Sequence, residues 1–270
     1  AWRAGALGSG GEIIYLNSEE NQNFLPNLNS LDAATLDRTC IMFLCSPTNP
    51  QGSVMDLDYL VTALRLARAH DFLLVMDECY ADIWRGSPPI GLMQAAAKVA
   101  QQDGANGIND PLANMVVLNS LSKRSGAAGL RAGFMVGDNK VIAQYLKLVG
   151  NGGSLVPTPL LSVAADLYED EAHVADIRAY YDLNFSLVEK YLGIVPPQGG
   201  FFLWLRVGND IQFVKRLMSE QAVRALPGSF MGVETADGNP GAGYVRLALV
   251  HDFSNTEKAL KRVAKVYKNQ

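Results

Sequence analysis

The sequence predicts an α/β fold, in which a mostly parallel sheet covered by helices is followed by a smaller α+β region. Two observations support this prediction. In the first half of the 270 residues, short and continuously apolar runs alternate with amphipathic helical patterns. Runs without polar alternation are typical of parallel strands that are buried on both faces. In the second half, two long helical segments come before strand-like segments, which is an α+β order.

The elements of the first half are predicted from their periodicity and their turn residues. Apolar residues recur at intervals of three and four between residues 55 and 70, which indicates an amphipathic helix. Strands are predicted over 12–17, 39–44, 72–76, 115–118 and 134–136. Helices are predicted over 31–36, 55–70, 93–101 and 141–149.

The second half begins with a segment rich in Gly and Pro, residues 151–159, which indicates a linker. Helices are then predicted over 159–168, 172–192, 211–221 and 255–267, and strands over 200–207 and 244–250. We therefore divide the chain into a large domain, residues 1–172, and a small C-terminal domain, residues 173–270, which includes the long connecting helix.

Composition and charge argue against several classes of function. The net charge of −4 and the pI of about 5.4 provide no basic field for nucleic acid or for an anionic membrane. No apolar run approaches the roughly 20 residues of a membrane helix. The three cysteines form no Cys-x-x-Cys pair and the three histidines are scattered. We therefore expect no metal site, and the reduced thiols of a cytoplasmic protein.

Polar side chains follow three of the predicted strands. Asn49 comes shortly after the first apolar run, Asp77 ends the second, and Lys123 follows the third. Ligands of such sheets bind beyond the carboxyl ends of the strands, so we expect these residues to meet in one crevice. Lys123 also lies in a Ser- and Gly-rich loop, and a lysine amine in such a setting can attack an aldehyde.

The order and spacing of the polar motifs resemble those of one family. Asn-Pro-Gln-Gly at 49–52 is followed by Asp-x-x-Tyr at 77–80 and Ser-x-x-Lys at 120–123, with Arg131 eight residues later and Arg246 in an apolar strand. Together these motifs resemble the pyridoxal-phosphate-dependent aminotransferases of classes I and II, of fold type I. The sequence Ser-Leu-Ser-Lys-Arg-Ser…Gly-Leu-Arg looks most like the N-succinyl-diaminopimelate aminotransferase branch.

The resemblance implies a catalytic group of three residues. Lys123 would be the lysine to which pyridoxal 5'-phosphate is attached covalently, and would also move a proton. Asp77 would pair with the protonated pyridine nitrogen of the cofactor. Tyr80, with Asn49 as a companion, would bind the ring hydroxyl oxygen of the cofactor.

The same resemblance implies ligands for the cofactor phosphate and for the substrate. Ser120 and Arg131 would bind the phosphate, with Ser122 as a third candidate. Arg246 would clamp the α-carboxylate of the substrate, with Asn49 beside it. Six of the site residues also have an ordinary alternative. These are a solvated loop lysine for Lys123, a turn or helix-capping aspartate for Asp77, a half-buried aromatic for Tyr80, turn chemistry for Asn49, a surface cation for Arg131 and a structural salt bridge for Arg246.

The resemblance further implies amino transfer between an amino acid and a 2-oxo acid by a cytoplasmic homodimer. The expected substrates are N-succinyl-diaminopimelate with 2-oxoglutarate and glutamate, in lysine biosynthesis. Alternatives on the same fold are an aspartate or aromatic aminotransferase, a carbon–sulfur lyase, and a non-catalytic effector-binding domain.

The family also has a segment before the position of Ala1. That segment carries a Gly-rich turn that helps to hold the phosphate, and the aromatic ring that stacks on the cofactor. We therefore expect these 270 residues alone to bind the cofactor weakly or not at all, and to associate through exposed apolar surface.

Overall fold

A computed structural model describes residues 2–104, 110–153 and 155–269. The helices are α1 (Trp2–Gly8), α2 (Ala33–Arg38), α3 (Leu57–Ala69), α4 (Leu92–Asp103), α5 (Leu121–Arg124), α6 (Asn139–Gly152), α7 (Thr158–Glu169), α8 (Ala172–Leu192), α9 (Asp210–Gln221) and α10 (Phe253–Tyr267). The strands are β1 (Ile41–Cys45), β2 (Leu73–Asp77), β3 (Met115–Ser120), β4 (Gly133–Gly137), β5 (Phe202–Arg206), β6 (Leu226–Pro227) and β7 (Tyr244–Ala248).

The first sheet aligns the ends of its strands at one edge. Its order is β1-β2-β3-β4, in which β1, β2 and β3 are parallel and β4 is antiparallel to β3. Cys45 is in register with Asp77, and Asp77 is in register with Leu118. The carboxyl ends of the three parallel strands therefore lie side by side, and the mostly parallel α/β sheet is confirmed.

The core of the first sheet lies between its strands and the helices α3 and α4. Leu64, Leu74 and Met115 are completely buried there. Burying one such side chain contributes roughly 1.5–3 kcal/mol. On the opposite face of β1, Ile41 is 50% exposed and Phe43 is 40% exposed. The expected burial of the strands on both faces therefore does not hold for the edge strands, which are β1 and β4, where Phe134 is 47% exposed.

The second sheet has the order β5-β7-β6 and is antiparallel. The helices α8, α9 and α10 pack on it around a core that includes Phe185, Leu205, Val245 and Leu260. Residues of this core all come from Phe185 onward, whereas the core under the first sheet ends at Val117.

The ends of several helices follow local sequence signals. Asp56 caps α3 by accepting a hydrogen bond from the Tyr59 backbone N–H at 2.8 Å. Asn209 caps α9 in the same way through the Gln212 N–H at 2.9 Å. Each such cap contributes about 1 kcal/mol. Gly193 caps the C-terminal end of helix α8, and its φ of +67° suits the left-handed position that glycine adopts without a Cβ clash.

Two segments differ from the sequence prediction. Residues 12–17 do not form the predicted strand, because the described sheet ends at β1 and offers them no neighbouring strand. Helix α6 continues to Gly152, so the linker predicted over 151–159 is shorter, and Ser154 lies outside the described residues.

Lys123 also differs from its predicted setting, because it lies in the short helix α5 rather than in a loop. Ser120 explains the difference, since its Oγ accepts a hydrogen bond from the Ser122 N–H at 3.1 Å and so caps the helix.

Close backbone contacts join the loop after β1 to the segment before β5. The Gly199 N–H donates to the Gly52 carbonyl at 2.8 Å. Gly52 has a φ of +73°, and a Cβ there would collide with the Gly199 carbonyl oxygen and with Pro197. Arg85 adds hydrogen bonds to the carbonyls of Pro197 and Gly200, both at 2.6 Å, and burial lowers the pKa of Arg85 to about 10. These contacts hold the second sheet against the strand ends of the first.

Candidate active site

The strand ends bring several of the predicted residues to one region. Asp77 is the last residue of β2, Asn49 lies in the loop after β1, and Lys123 follows β3. Arg246 comes from the middle of β7 in the second sheet. The site is therefore built from both sheets and depends on the junction between them.

Tyr80 is the centre of a hydrogen-bonded row. Its hydroxyl oxygen accepts from Asn49 Nδ2 at 3.2 Å, and Asn49 Oδ1 in turn accepts from Arg246 Nη1 at 3.2 Å. The Tyr80 ring is buried and packs edge-on against Phe201 and Phe202, with centroid distances of 5.6 and 6.2 Å. The row connects the loop after β1, the end of β2 and the strand β7.

The tyrosine in this row stays protonated. Burial raises the pKa of Tyr80 above its usual range, and Arg246 only partly offsets that effect. Because the hydroxyl oxygen accepts from Asn49, its own proton is available to donate to a ligand.

Arg246 is half-buried and faces the same region. Its guanidinium lies 4.3 Å over the centroid of the Phe202 ring, and burial lowers its pKa. Within the described ranges, no carboxylate forms a salt bridge with Arg246. The alternative of a structural salt bridge therefore finds no partner there, and a half-buried cation of this kind favours an external anion.

The Lys123 amine points toward the rings of Tyr80, which belongs to this row, and of Phe201, which packs against Tyr80. Its Nζ is 5.3 Å from the Phe201 centroid and 5.8 Å from the Tyr80 centroid. The side chain is half-buried, and no acidic group in the described part of the chain pairs with it. The amine is thus accessible to a ligand that enters between the two sheets.

The neighbour of the lysine fixes the short helix on which it lies. Arg124 is buried, with Nη1 at 2.8 Å from Asp82 and Nη2 at 2.6 Å from Glu171. Its Nη2 also donates to the Tyr168 carbonyl at 3.0 Å. A buried arginine that bonds two acids and a carbonyl constrains the backbone next to Lys123.

Asp77 is half-buried, and its Oδ1 accepts from the Cys79 N–H at 3.0 Å. This bond is what a turn aspartate would make. The carboxylate also acts on both nearby thiols. Burial and then the charge of Asp77 raise the pKa of Cys45 to about 12. Burial and a bond to Asp77 likewise raise the pKa of Cys79, which Lys123 opposes. Carboxylate and amine therefore lie near the same thiol.

The proposed phosphate ligands form a less complete arrangement. Ser120 Oγ donates to Ser122 Oγ at 3.0 Å, so the two hydroxyls are adjacent. The Leu121 N–H bonds the Ala132 carbonyl at 3.2 Å, which brings Arg131 across from this segment. Arg131 itself is exposed, has a φ of 55°, and donates from Nη1 to the Ala128 carbonyl at 3.1 Å. No described contact joins its guanidinium to the serines.

Of the aromatic residues near the lysine, Tyr80 has a role predicted from the sequence, whereas Phe201 and Tyr181 have none. Phe201 contacts both Lys123 and Tyr80, and Tyr181 stacks on Phe201 with a centroid distance of 5.3 Å. The available signal is the Gly199-Gly200 pair before the two phenylalanines, because paired glycines allow close approach of the backbone. Cys79, between Asp77 and Tyr80, is a further residue at this place.

Two other kinds of site find no support in the described ranges. No group of three or more His, Cys, Asp or Glu side chains there could hold a metal ion. None of the helices described is both long enough and apolar enough to span a bilayer.

Comparison with known proteins identifies relatives along almost the whole chain. Residues 3–263 match the family described as aminotransferase class I and II. A probable aminotransferase of Mycobacterium tuberculosis is 27% identical, over 83% of this chain and 51% of the relative. An LL-diaminopimelate aminotransferase of Syntrophobacter fumaroxidans is 27% identical, over 96% of this chain and 64% of the relative.

A solved structure agrees with these matches. The crystal structure of an aminotransferase from Neisseria meningitidis has a TM-score of 0.90 and 35% identity, and covers 98% of this chain and 67% of its own. The chain thus spans between about half and two thirds of the length of these relatives.

Proposed function

Because this chain belongs to the class I and II aminotransferases, we propose that the protein transfers an amino group between an amino acid and a 2-oxo acid with pyridoxal 5'-phosphate. One observation carries the proposal. The Lys123 amine, which has no acidic partner in the described ranges, faces the row formed by Tyr80, Asn49 and Arg246. An amine and a cation on the same aromatic wall can bind the aldehyde and the carboxylate of two ligands at once.

The residues of the site fit the cofactor of the family. Asp77 is a half-buried carboxylate that no cation of the described residues pairs with, which suits a protonated ring nitrogen. Tyr80 and Asn49 can donate to the ring oxygen. The Ser122 hydroxyl can donate to a phosphate, and the Ser120 hydroxyl can do so once it releases its bond to Ser122 Oγ. When bound, the cofactor supplies an electron-withdrawing ring that stabilises negative charge at the substrate α-carbon.

Arg131 is the remaining phosphate candidate of this proposal. It lies across from the two serines but bonds its own loop through the Ala128 carbonyl. A change of its side-chain rotamer would have to release that bond, which is exposed and therefore contributes little.

The protein groups divide the remaining work. Arg246 binds the substrate α-carboxylate through its planar fork, and Asn49 orients the fork through the 3.2 Å bond to Nη1. Lys123 is the base that takes the α-proton and returns it in amino transfer. Phe201 and Phe202 exclude water from one side of these groups, which strengthens each charge interaction.

For the substrate, we propose an amino acid with the diaminopimelate skeleton. The sequence around Lys123 suggests N-succinyl-diaminopimelate with 2-oxoglutarate and glutamate, in lysine biosynthesis. The relative described as an LL-diaminopimelate aminotransferase supports the same skeleton. We further propose a cytoplasmic location, and a division into domains 1–172 and 173–270, which the two separate cores support.

We also propose a homodimer, on the basis of an exposed apolar surface. We use the name α6–α7 face for the exposed apolar residues of these two helices and the segment between them, which are Tyr145, Leu146, Leu148, Leu155, Leu161 and Val163. Helix α6 contributes no buried side chain. Exposed apolar side chains on two successive helices would be covered by a protein–protein contact.

The proposal is tested by single-turnover amino transfer. Protein that also carries the N-terminal segment of the family is loaded with pyridoxal phosphate and mixed with an amino acid, and the appearance of the 2-oxo acid is measured for wild type and for Arg246→Lys. We expect Arg246→Lys to raise the apparent Kd for the amino acid by roughly tenfold with a smaller change in the single-turnover rate constant, because lysine loses the bidentate geometry. A non-catalytic effector-binding domain would bind ligand without forming any 2-oxo acid, and that result would reject the proposal.

A further inference from the structure

Helix α5, which carries Lys123, is attached at its C-terminal end to the start of α8. Ser125 caps this end of α5, and its N–H donates to the Leu121 carbonyl at 3.1 Å. The Ser125 hydroxyl lies 2.8 Å from Nε2 of His173, which is in the first turn of α8. This contact is separate from the bonds of Arg124, and the functions assigned above use neither the serine nor the histidine.

Asp170 fixes the backbone and the ring of His173. Its Oδ1 accepts from the N–H groups of Ala172 at 2.8 Å and of His173 at 3.4 Å, which satisfies two donors at the start of α8. Its Oδ2 lies 2.9 Å from His173 Nδ1, within the distance of an ion pair but not aligned as a hydrogen bond. With a proton on Nδ1, beside the carboxylate, Nε2 accepts from the Ser125 hydroxyl. The imidazole is 23% exposed, so water competes little for this bond.

Helix α8 supports the lysine from a second side. Tyr181, about 12 Å further along the helix axis than His173, stacks on Phe201 with a centroid distance of 5.3 Å. Phe201 is the ring that lies 5.3 Å from the Lys123 amine. One helix therefore holds both the backbone that carries the lysine, through Ser125, and the aromatic ring that the amine faces.

Helix α5 needs such supports because it has only four residues. A single helical turn has little stability of its own, and the Lys123 amine makes no salt bridge within the described ranges. The position of the amine therefore depends on how the backbone next to it is held. Proton transfer is sensitive to displacements of about 1 Å.

We infer that His173 is a positioning residue for Lys123 and acts through Ser125. The bond between them holds the end of α5 at the start of α8, so that the amine faces Phe201 and Tyr80. This inference rests on the proposed role of Lys123 and adds to it a residue that touches neither the cofactor nor the substrate.

The test uses variants at both ends of the bond. They are His173→Ala, Ser125→Ala, the double variant, and His173→Gln, whose side-chain amide can still donate to the serine hydroxyl. The matched control is His70→Ala. His70 Nδ1 lies 2.6 Å from Asp37 Oδ1 and its ring is 20% exposed, so this variant also loses a histidine–aspartate pair. His70 precedes β2, at the end of the strand opposite to Asp77.

The first readout needs neither cofactor nor turnover. Each protein is treated with a trace of acetic anhydride, and the acetylation of Lys123 relative to the exposed Lys98 is measured by mass spectrometry. We expect His173→Ala and Ser125→Ala to raise this ratio roughly fivefold, the effect of losing one hydrogen bond, because the amine is then no longer held against the rings. His173→Gln should recover most of the difference, and His70→Ala should stay within about twofold of wild type.

The second readout is amino transfer by protein that also carries the N-terminal segment of the family and is loaded with pyridoxal phosphate. His173→Ala should lower kcat roughly tenfold and change KM for the amino acid by less than about twofold, because the base is misplaced while the carboxylate clamp is intact. The double variant should be no slower than His173→Ala, since both substitutions break the same bond.

The inference and the proposed function can fail separately. Unchanged labelling of Lys123, an equal effect of His70→Ala, multiplied effects in the double variant, or no recovery in His173→Gln would overturn the role of His173. An active Lys123→Ala variant, or a wild type without turnover, would overturn the proposed function. The labelling experiment would still decide whether His173 positions the amine.

Discussion

At the scale of single residues, the candidate site is defined by charged groups that lack an opposite charge within the described chain. Lys123, Asp77 and Arg246 are each half-buried, and each is held in place by neighbours rather than neutralised by them. Burial of an unpaired charge costs free energy, so an arrangement of this kind is typical of a site that a ligand completes.

The amine of Lys123 is expected to be necessary for amino transfer but not for folding. In a protein that also carries the N-terminal segment of the family, Lys123→Ala should reduce the rate by roughly a thousandfold or more, because it removes the proton-transferring base. Its free energy of unfolding should change by less than about 1 kcal/mol, since the amine makes no described salt bridge. The rate of amino transfer and the free energy of unfolding in urea are measured for this variant and for the control Lys98→Ala. Lys98 is an exposed residue of α4. Residual activity near the wild-type rate would exclude the assigned role.

From the raised pKa of the Cys45 thiol we predict that the protein loses stability at alkaline pH. Its pKa is raised from 9.0 to about 12 in the folded state, by burial and by the charge of Asp77. The unfolded chain therefore loses the proton first, and stability that is fully present below pH 9 falls as the pH rises toward 12.

The free energy of unfolding is measured by urea titration between pH 8 and 11, at intervals of about one pH unit. The free energy of unfolding of Cys45→Ala should decrease less steeply with pH than that of wild type. The difference in slope should correspond to at most one proton. Cys40→Ala removes an exposed thiol and should keep the wild-type slope. Identical slopes for all three proteins would show that Cys45 has an ordinary pKa.

At the scale of elements, the sequence was informative where local signals act alone. The apolar runs predicted β1, β2 and β3 because such strands need no partner information to be recognised. The strand predicted over 12–17 was wrong because a strand forms only beside another strand, which local sequence does not reveal. The described sheet ends at β1 and leaves this segment without a neighbour. Convergence of Asn49 and Asp77 followed from strand order, whereas the contact of Phe201 with Lys123 depends on how the two sheets meet.

A substitution at Gly52 tests the junction between the two sheets. Its φ of +73°, and the overlap that a Cβ at this position would have with Gly199 and Pro197, leave no room for a side chain. Gly52→Ala should therefore destabilise the protein by about 2 kcal/mol or more, from backbone strain together with the clash. The matched control is Gly150→Ala in helix α6, where the space is open and the higher helix propensity of alanine should stabilise by about 0.5–1 kcal/mol. Equal thermal stabilities of the two variants would contradict the packing of the junction.

At the scale of the whole molecule, the α6–α7 face is expected to control association. Leu148 is 68% exposed there, and Leu148→Arg should shift the protein from dimer to monomer by placing a charge in an apolar contact. Mass is measured by light scattering after size-exclusion chromatography. Val195→Arg, at an 84% exposed position outside this face, should leave the mass unchanged. A wild-type monomer at all concentrations, or a dimer that tolerates Leu148→Arg, would argue against this contact.

The central claim is that Lys123 is the residue to which pyridoxal phosphate is attached. Protein is incubated with millimolar pyridoxal phosphate, reduced with borohydride, digested, and analysed by mass spectrometry for modified lysines. We predict one dominant modification, on Lys123, which is lost in Lys123→Ala and kept in Lys98→Ala. Modification spread over the surface lysines, or an equal yield in Lys123→Ala, would contradict the assignment of this site.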